Sequence, residues 1–280
     1  MGGMLCGVGK RGAGLWVIAL AGPCQADLPL MIEDLLTKEK TVQLNFGVTY
    51  SNQIYNNFTL YNQDRVISRL GIRYGVAPNT EVYSRITGIW SETRILGFNE
   101  TTSTNTFRWR NFVGGVNHRF SPENATPAVL GFIETALIEN VGYSNTEKLV
   151  YGKTWNAGLT AYRSIDPVVL ALTVGYSYTA PRTVNGRGNV DPGDLLYLEP
   201  NLSFAVNDQV SLSGGFRISH LDKAKGPDAA PDIRTTRTDL LLGLSFAPTA
   251  KVTLHSNVLA DISGDAGSSV GIHLTYRLGK

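Results

Sequence analysis

Three arginines, Arg65, Arg69 and Arg73, recur every four residues. In an extended segment, whose side chains alternate between two faces, that spacing puts all three on one face. The same phase assigns Arg85, Arg217 and Arg237 to equivalent positions of other segments, together with the carboxylates Glu81, Glu134, Glu199, Asp239 and Asp261. A set of this kind can line a water-filled passage and select its solutes by charge. It can equally pair acid with base and brace an enclosed interior. Nucleophilic chemistry is less well served. His255 and Ser256 are the residue types of a base and a nucleophile, but neighbours in an extended segment point to opposite faces and cannot meet. His273 is followed two residues later by Thr275, with no evident third member. His118 and His220 have no sequence-local His or carboxylate that would make a metal site. No enzyme activity, cofactor or metal is expected.

The elements that position these side chains are extended. In residues 40–52, KTVQLNFGVTYSN, the apolar residues Val42, Leu44, Phe46, Val48 and Tyr50 alternate with Thr41, Gln43, Asn45, Gly47, Thr49 and Ser51. A period of two is that of a strand, apolar on one side and polar but almost uncharged on the other. Its length, about ten residues, suits a strand crossing a bilayer in a closed barrel, with lipid outside and water inside. About twelve such segments follow one another. The weakest is residues 128–138, apolar on both faces. In residues 106–120, Phe112, Val116 and Phe120 share one phase and Trp109 and Val113 the other, a conflict that predicts a bulge near Gly114-Gly115.

Composition agrees. The 280 residues are 42% hydrophobic with a mean hydropathy of -0.05, and no run of eighteen or more apolar residues exists, which excludes a helical membrane protein. A barrel hides its apolar residues by alternation and keeps an average composition. The net charge of +2 gives no reason to expect nucleic acid as a partner. Connections alternate between short ones, near 77–80, 121–127, 164–167, 207–208 and 247–250, and longer ones, near 52–64, 91–105, 139–148, 179–194, 220–235 and 261–268. Outer-membrane barrels have short periplasmic turns and longer outer loops. Aromatic residues gather at segment ends. Tyr50, Trp90, Phe107, Trp109, Tyr176 and Tyr178 lie near the long loops; Tyr74, Phe120, Phe204, Phe246 and Tyr276 lie near the short turns. Two aromatic belts around an aliphatic middle are what two bilayer interfaces favour.

Ahead of the first strand the pattern changes twice. Residues 1–26 read as a secretory signal: Lys10 and Arg11, then an apolar core over residues 12–22, then small residues that allow cleavage after Ala26 or after Ala21. Both cysteines, Cys6 and Cys24, lie here, so the expected mature chain has no thiol. Residues 27–39 follow as a short helix. Asp27 can cap it and Pro29 suits its first turn. Leu28, Met31, Ile32, Leu35 and Leu36 form an apolar stripe, with Glu33 and Asp34 on the opposite face. A helix this short needs something to pack on. The expected seat is the mouth of the barrel, with Glu33 and Asp34 near lumen arginines; a seat on the membrane surface is the alternative. Residues 40–280 make the barrel.

The run LPLMIEDLLTKEKTVQLNFGVTYSN, a short acidic helix opening straight into the first strand, resembles outer-membrane barrels of the meta-pathway of phenol degradation and the barrel portion of functional-amyloid secretion channels. The resemblance implies a twelve-stranded pore with a helical plug just before the first strand. Two departures weigh against amyloid export: almost nothing precedes Asp27, and the chain ends Tyr276-Arg277-Leu278-Gly279-Lys280 rather than on an aromatic residue.

The expected fold is thus all-β: a transmembrane antiparallel up-and-down barrel of about twelve strands in the bacterial outer membrane, both termini periplasmic. The expected function is passage of a small solute, or of an unfolded secreted chain, through a lumen lined by the charged set and closed by the helix. The alternative is a structural or adhesive barrel with a packed lumen and working outer loops. Expected partners are outer-membrane lipid, lipopolysaccharide and the barrel assembly machinery; self-association is compatible with all of this.

Overall fold

The computed structural model describes residues 36–57, 59–96, 101–141, 147–184, 188–226, 235–263 and 267–279. Twelve long strands run in chain order: β1 Val42–Asn57, β2 Thr59–Ala77, β3 Thr80–Leu96, β4 Thr101–Ser121, β5 Ala128–Asn140, β6 Thr154–Ile165, β7 Val168–Thr179, β8 Leu195–Ala205, β9 Val210–Leu221, β10 Thr235–Thr249, β11 Val252–Asp261 and β12 Gly267–Leu278. Each pairs antiparallel with the next, and β1 pairs with β12 from Val42↔Leu278 to Gln53↔Gly267. The ring is therefore closed and has no edge, the condition for a sheet to cross a bilayer with every backbone group satisfied. Leu149–Val150 adds a short pairing to the end of β5, and Arg182–Val184 pairs with Gly188–Val190 in a small hairpin beyond β7.

The interior is the inverse of a soluble core. Leu44, Phe46, Leu70, Ile72, Leu172, Leu202 and Leu244 are exposed on the outside. Glu81, Glu134, Asn156, Arg217, Asp239 and His255 are buried on the inside. Only a lipid solvent makes this arrangement favourable. The register also brings aromatics to common levels. Tyr50 lies beside Val66, Val66 beside Trp90 and Trp90 beside Phe107, on the long-loop side; Phe204 lies between Val168 and Leu212 on the short-turn side. Leu172 sits between the two levels. Leu172→Arg is expected to lower stability by about 2–4 kcal/mol in lipid vesicles, the cost of a cation near the bilayer midplane. A urea titration in vesicles showing less than about 1 kcal/mol would place this face in water.

Three expectations need correction. Within the segments 52–64 and 91–105 the described residues are strand, not loop. β1 to β4 are 16, 19, 17 and 21 residues long, and the ladders continue to Asn57↔Thr59 and Leu96↔Thr101. Beyond the aromatic level water bathes both faces, so the apolar alternation stops while backbone pairing goes on. Polar rungs replace it: Tyr50 donates to Asp64 at 2.6 Å, Asn52 to Asn62 at 2.9 Å, and Arg94 to Glu92 at 2.8 Å. Arg94 holds the Glu92 carboxyl below its ordinary range.

The phase conflict in β4 has its source at Arg110, not at Gly114-Gly115. Thr87 pairs with Asn111 but Gly88 with Trp109, so Arg110 is an extra residue. One inserted residue flips the phase, which is how Phe107 and Phe112 both face outward. A second shift leaves Leu137 of β5 unpaired between Val113↔Ala136 and Phe112↔Ile138, and Leu130 and Phe132 pack inward, so that strand reads as apolar on both faces.

The last expected turn of the helix, residues 36–39, is not helical. Glu39 forms a bridge with Gly75 of β2, and Lys40 takes a left-handed φ of 59° before β1 begins. Residues 27–35, with Leu28, Met31, Ile32, Glu33, Asp34 and Leu35, lie outside the described residues, as does the signal segment.

Candidate functional site

The inner wall follows from the period of two. Once Leu70, Ile72 and Tyr74 face lipid, Arg69, Gly71, Arg73 and Gly75 must face the lumen. The structure distributes the charged set over five clusters in which acid and base come from different strands or meet within one.

At the short-turn mouth, Glu81 of β3 is fully buried. Arg73 of β2 lies 3.4 Å from it and Asn117 of β4 donates at 2.6 Å. Its other oxygen, Oε2, accepts the backbone N–H of Thr37 at 2.7 Å. Deeper in, Glu134 of β5 accepts from Tyr83 at 2.9 Å and Asn156 at 2.9 Å and pairs with Arg85 at 3.2 Å. Four strands, β3, β5, β6 and through Gly115 also β4, meet at this carboxylate: a Cβ on Gly115 would sit 2.4 Å from the Tyr83 ring and 2.8 Å from Glu134 Cβ.

On the other half of the barrel a charged band crosses four strands. Glu199 of β8 accepts from Arg217 of β9 at 2.9 Å, and the Arg217 guanidinium lies 5.1 Å over the Tyr197 ring. Arg217 stands opposite Asp239 of β10, which in turn stands opposite Asp261 of β11. Like charges directly opposite would repel. Arg237 bridges them, donating to Asp239 at 2.6 Å and lying 3.5 Å from Asp261. A fifth cluster lies at the long-loop side, where Arg182, from the chain beyond β7, reaches Glu139 of β5 at 3.4 Å.

The arginine ladder divides along its length. Arg73 joins the Glu81 cluster, Arg69 donates to Thr49 at 3.2 Å, and Arg65 donates to Gln53 at 3.3 Å and to Gln63. His255 and Ser256 do lie on opposite faces. His255 is buried inside against Ser245 at 2.9 Å, and Ser256 turns out toward the Leu244 carbonyl. Among the described residues no group of three or more metal-ligating side chains forms.

The mouth holds Leu36, which the sequence placed in the apolar stripe, and Thr37, whose contact with Glu81 it did not single out. Leu36 and Thr37 are 4% and 1% exposed. Residues 37–41 lie along the inner face of β2: Lys40 N donates to Gly75 O at 2.8 Å and Gly75 N to Thr41 O at 3.2 Å. They fit because position 75 has no side chain. A Cβ there would lie 2.2 Å from Lys38 O and 2.5 Å from Thr37 O. The only sequence signal was a glycine at an inward position of a strand, which marks a close backbone approach.

Comparison with solved structures decides the class of this architecture. The chain superposes on an outer membrane channel from Pseudomonas putida F1 with a TM-score of 0.64 at 12% identity, covering 86% of this chain and 96% of that one. The fold is that of an outer-membrane β-barrel. The translocator domain of the autotransporter NalP from Neisseria meningitidis matches at a TM-score of 0.56 and 10% identity, over 90% and 93% of the two chains. The CymD monoaromatic hydrocarbon channel matches at 0.52 and 11%, over 92% and 93%. No protein-family model matches the chain, and no curated protein does. At these identities the likeness is one of fold. The barrel's working parts have to be read from its own lumen.

Proposed function

We propose that the barrel is an outer-membrane channel for a small solute, with both termini in the periplasm and the segment before β1 acting as its plug. The observation that carries this reading is the seat of residues 36–40 inside the short-turn mouth. A lumen that admits a length of backbone there is not filled at that end by its own wall side chains alone. Contacts that hold the segment include a hydrogen bond from Thr37 N to Glu81, two backbone bonds at Gly75 and the burial of Leu36.

Arg65, Arg69, Arg73, Arg85, Arg217 and Arg237, with Glu81, Glu199 and Asp239, form the lining in this reading. Their pairing makes most of them wall braces that hold the lumen's shape, rather than a simple anion filter. The competing reading, a structural or adhesive barrel with a permanently filled lumen, draws on the same pairing and is separated from the channel by current.

The test compares single-channel conductance of the refolded chain starting at Asp27 with one starting at Thr41. The longer form is expected to be closed and the shorter one open. No current from either form, with folding confirmed by heat-modifiable gel mobility, would eliminate the channel and leave the filled barrel.

A further inference from the structure

The lipid-facing side of the barrel is not evenly filled. From β6 to β9 the outward positions Ala161, Pro200 and Gly214 are short or bare, while Leu172, Leu202 and Phe216 beside them are full-length and exposed. The register puts them in one row: Ala161 stands opposite Leu172, Leu172 opposite Pro200, and Leu202 opposite Gly214. Together they leave a shallow apolar groove of about 560 Å3. Gly214 marks it as open space. A Cβ there would meet nothing nearer than Leu242 Cδ2, at 3.8 Å. Two other outward glycines are covered: a Cβ on Gly131 would lie 2.4 Å from the Phe120 ring, and one on Gly114 3.1 Å from Leu137 Cδ1.

What fills the groove is set by where it lies. Leu202 precedes Phe204, on the aromatic level of the short-turn side, by two residues, so the groove lies in the hydrocarbon of that leaflet. An empty groove there forfeits dispersion contacts along its length, and an acyl chain restores them. The groove's end supplies a seat for the head group. Arg163 and Pro127 line it at the short-turn side. Arg163 Nη1 donates to Asn124 O at 2.8 Å, and its Nε lies 3.7 Å from Glu123. Glu123 is held in turn by the Ser164 backbone N–H at 2.7 Å and the Ser164 hydroxyl at 3.0 Å. The two charged side chains remain 39% and 21% exposed. A fixed guanidinium suits a phosphate. A fixed carboxylate beside it disfavours a head group of net negative charge and suits an ammonium that can donate to it.

We propose that this groove and the Arg163–Glu123 pair form a binding site for one phospholipid with a zwitterionic, primary-ammonium head group, phosphatidylethanolamine. Its acyl chain lies over Ala161, Pro200 and Gly214, its phosphate meets Arg163, and its ammonium meets Glu123. In the proposed orientation the lipid comes from the periplasmic leaflet. The site goes beyond the channel reading and stands whether or not the barrel conducts.

The test is native mass spectrometry of the folded, full-length protein in detergent, titrated separately with phosphatidylethanolamine, phosphatidylglycerol and phosphatidylcholine. One phosphatidylethanolamine is expected to bind saturably, roughly tenfold more tightly than either of the others. Gly214→Leu fills the groove at a position where a side chain meets only lipid, and is expected to weaken that binding by roughly tenfold or more. Val258→Leu, also on the lipid-facing side but on β11, is expected to leave it unchanged. Arg163→Gln is expected to weaken all three lipids, and Glu123→Gln to narrow the preference over phosphatidylglycerol. Folding of each variant is read by heat-modifiable gel mobility. No saturable binding, equal binding of the three lipids, a preference for phosphatidylglycerol, or an unchanged affinity in folded Gly214→Leu would each overturn the proposal and leave this face to exchanging bilayer lipid.

Discussion

Gly75→Val will open the short-turn mouth without unfolding the barrel. The atoms that a Cβ at position 75 meets are the carbonyl oxygens of Lys38 and Thr37, at 2.2 and 2.5 Å. These are backbone atoms, not the ends of flexible side chains, so the segment rather than a rotamer has to move. β2 itself has every reason to stay. Valine favours strands more than glycine does, and the lipid-facing residues Tyr74 and Val76 are untouched. Once residues 37–40 are displaced, the bond from Thr37 N to Glu81 goes too. A hydrogen bond to a charged group contributes about 1.5–3 kcal/mol. The two backbone bonds at Gly75 add about 1 kcal/mol each. Together these come to about 3.5–5 kcal/mol, which moves a closed–open equilibrium roughly a thousandfold. The open probability of single channels in planar bilayers should rise by about that factor, with Gly75→Ala giving a smaller effect in the same direction. A variant that folds by heat-modifiable mobility and stays as closed as the parent would show that the segment over Gly75 does not gate the pore.

This prediction depends on a contact that sequence could not supply, and the reason is physical. Lipid constrains every second residue of a crossing strand, so the phase of Leu44, Leu70, Leu172 or Leu244 is visible in the chain and gives the inward set with it. Strand number and the two aromatic levels follow from that constraint. Height does not. Which lumen residues meet depends on the stagger of neighbouring strands, a property of the closed ring. Arg85 meets Glu134, 49 positions away, and Thr37 meets Glu81, 44 away. Nor does the pattern survive where the lipid ends: above Tyr50 and Trp90 the strands run on through Asn, Thr and Ser with no apolar phase to betray them. The Arg110 bulge was visible as a conflict of phase, but its place was not, because any residue between Trp109 and Phe112 produces the same conflict. The approach of Asn257, His273 and Thr49 to Gly271 joins β11, β12 and β1, and in sequence it is three unremarkable polar positions.

The charged lining leads to the second large effect. Glu134→Ala should destabilise the folded barrel by about 3–5 kcal/mol, the usual consequence of removing one partner of a buried ion pair. The loss is not the energy of the pair. It comes from what the pair leaves behind: the Arg85 guanidinium, with a side chain 12% exposed, and the Tyr83 hydroxyl and Asn156 amide, all of which lose their acceptor. Two further variants separate charge from shape. Glu134→Gln keeps an acceptor for Tyr83 and should cost less than alanine. Arg85→Met with Glu134→Leu removes both charges while filling the space, and should recover much of the stability, because a buried pair gains little over apolar residues of similar volume. Urea titrations in lipid vesicles read all three. A cost below about 1 kcal/mol for Glu134→Ala would mean that this carboxylate stands in water, and that the wall between β3 and β6 is lining rather than brace. The expected order, alanine worst and the double variant mildest, would assign this side of the lumen to holding the barrel's shape.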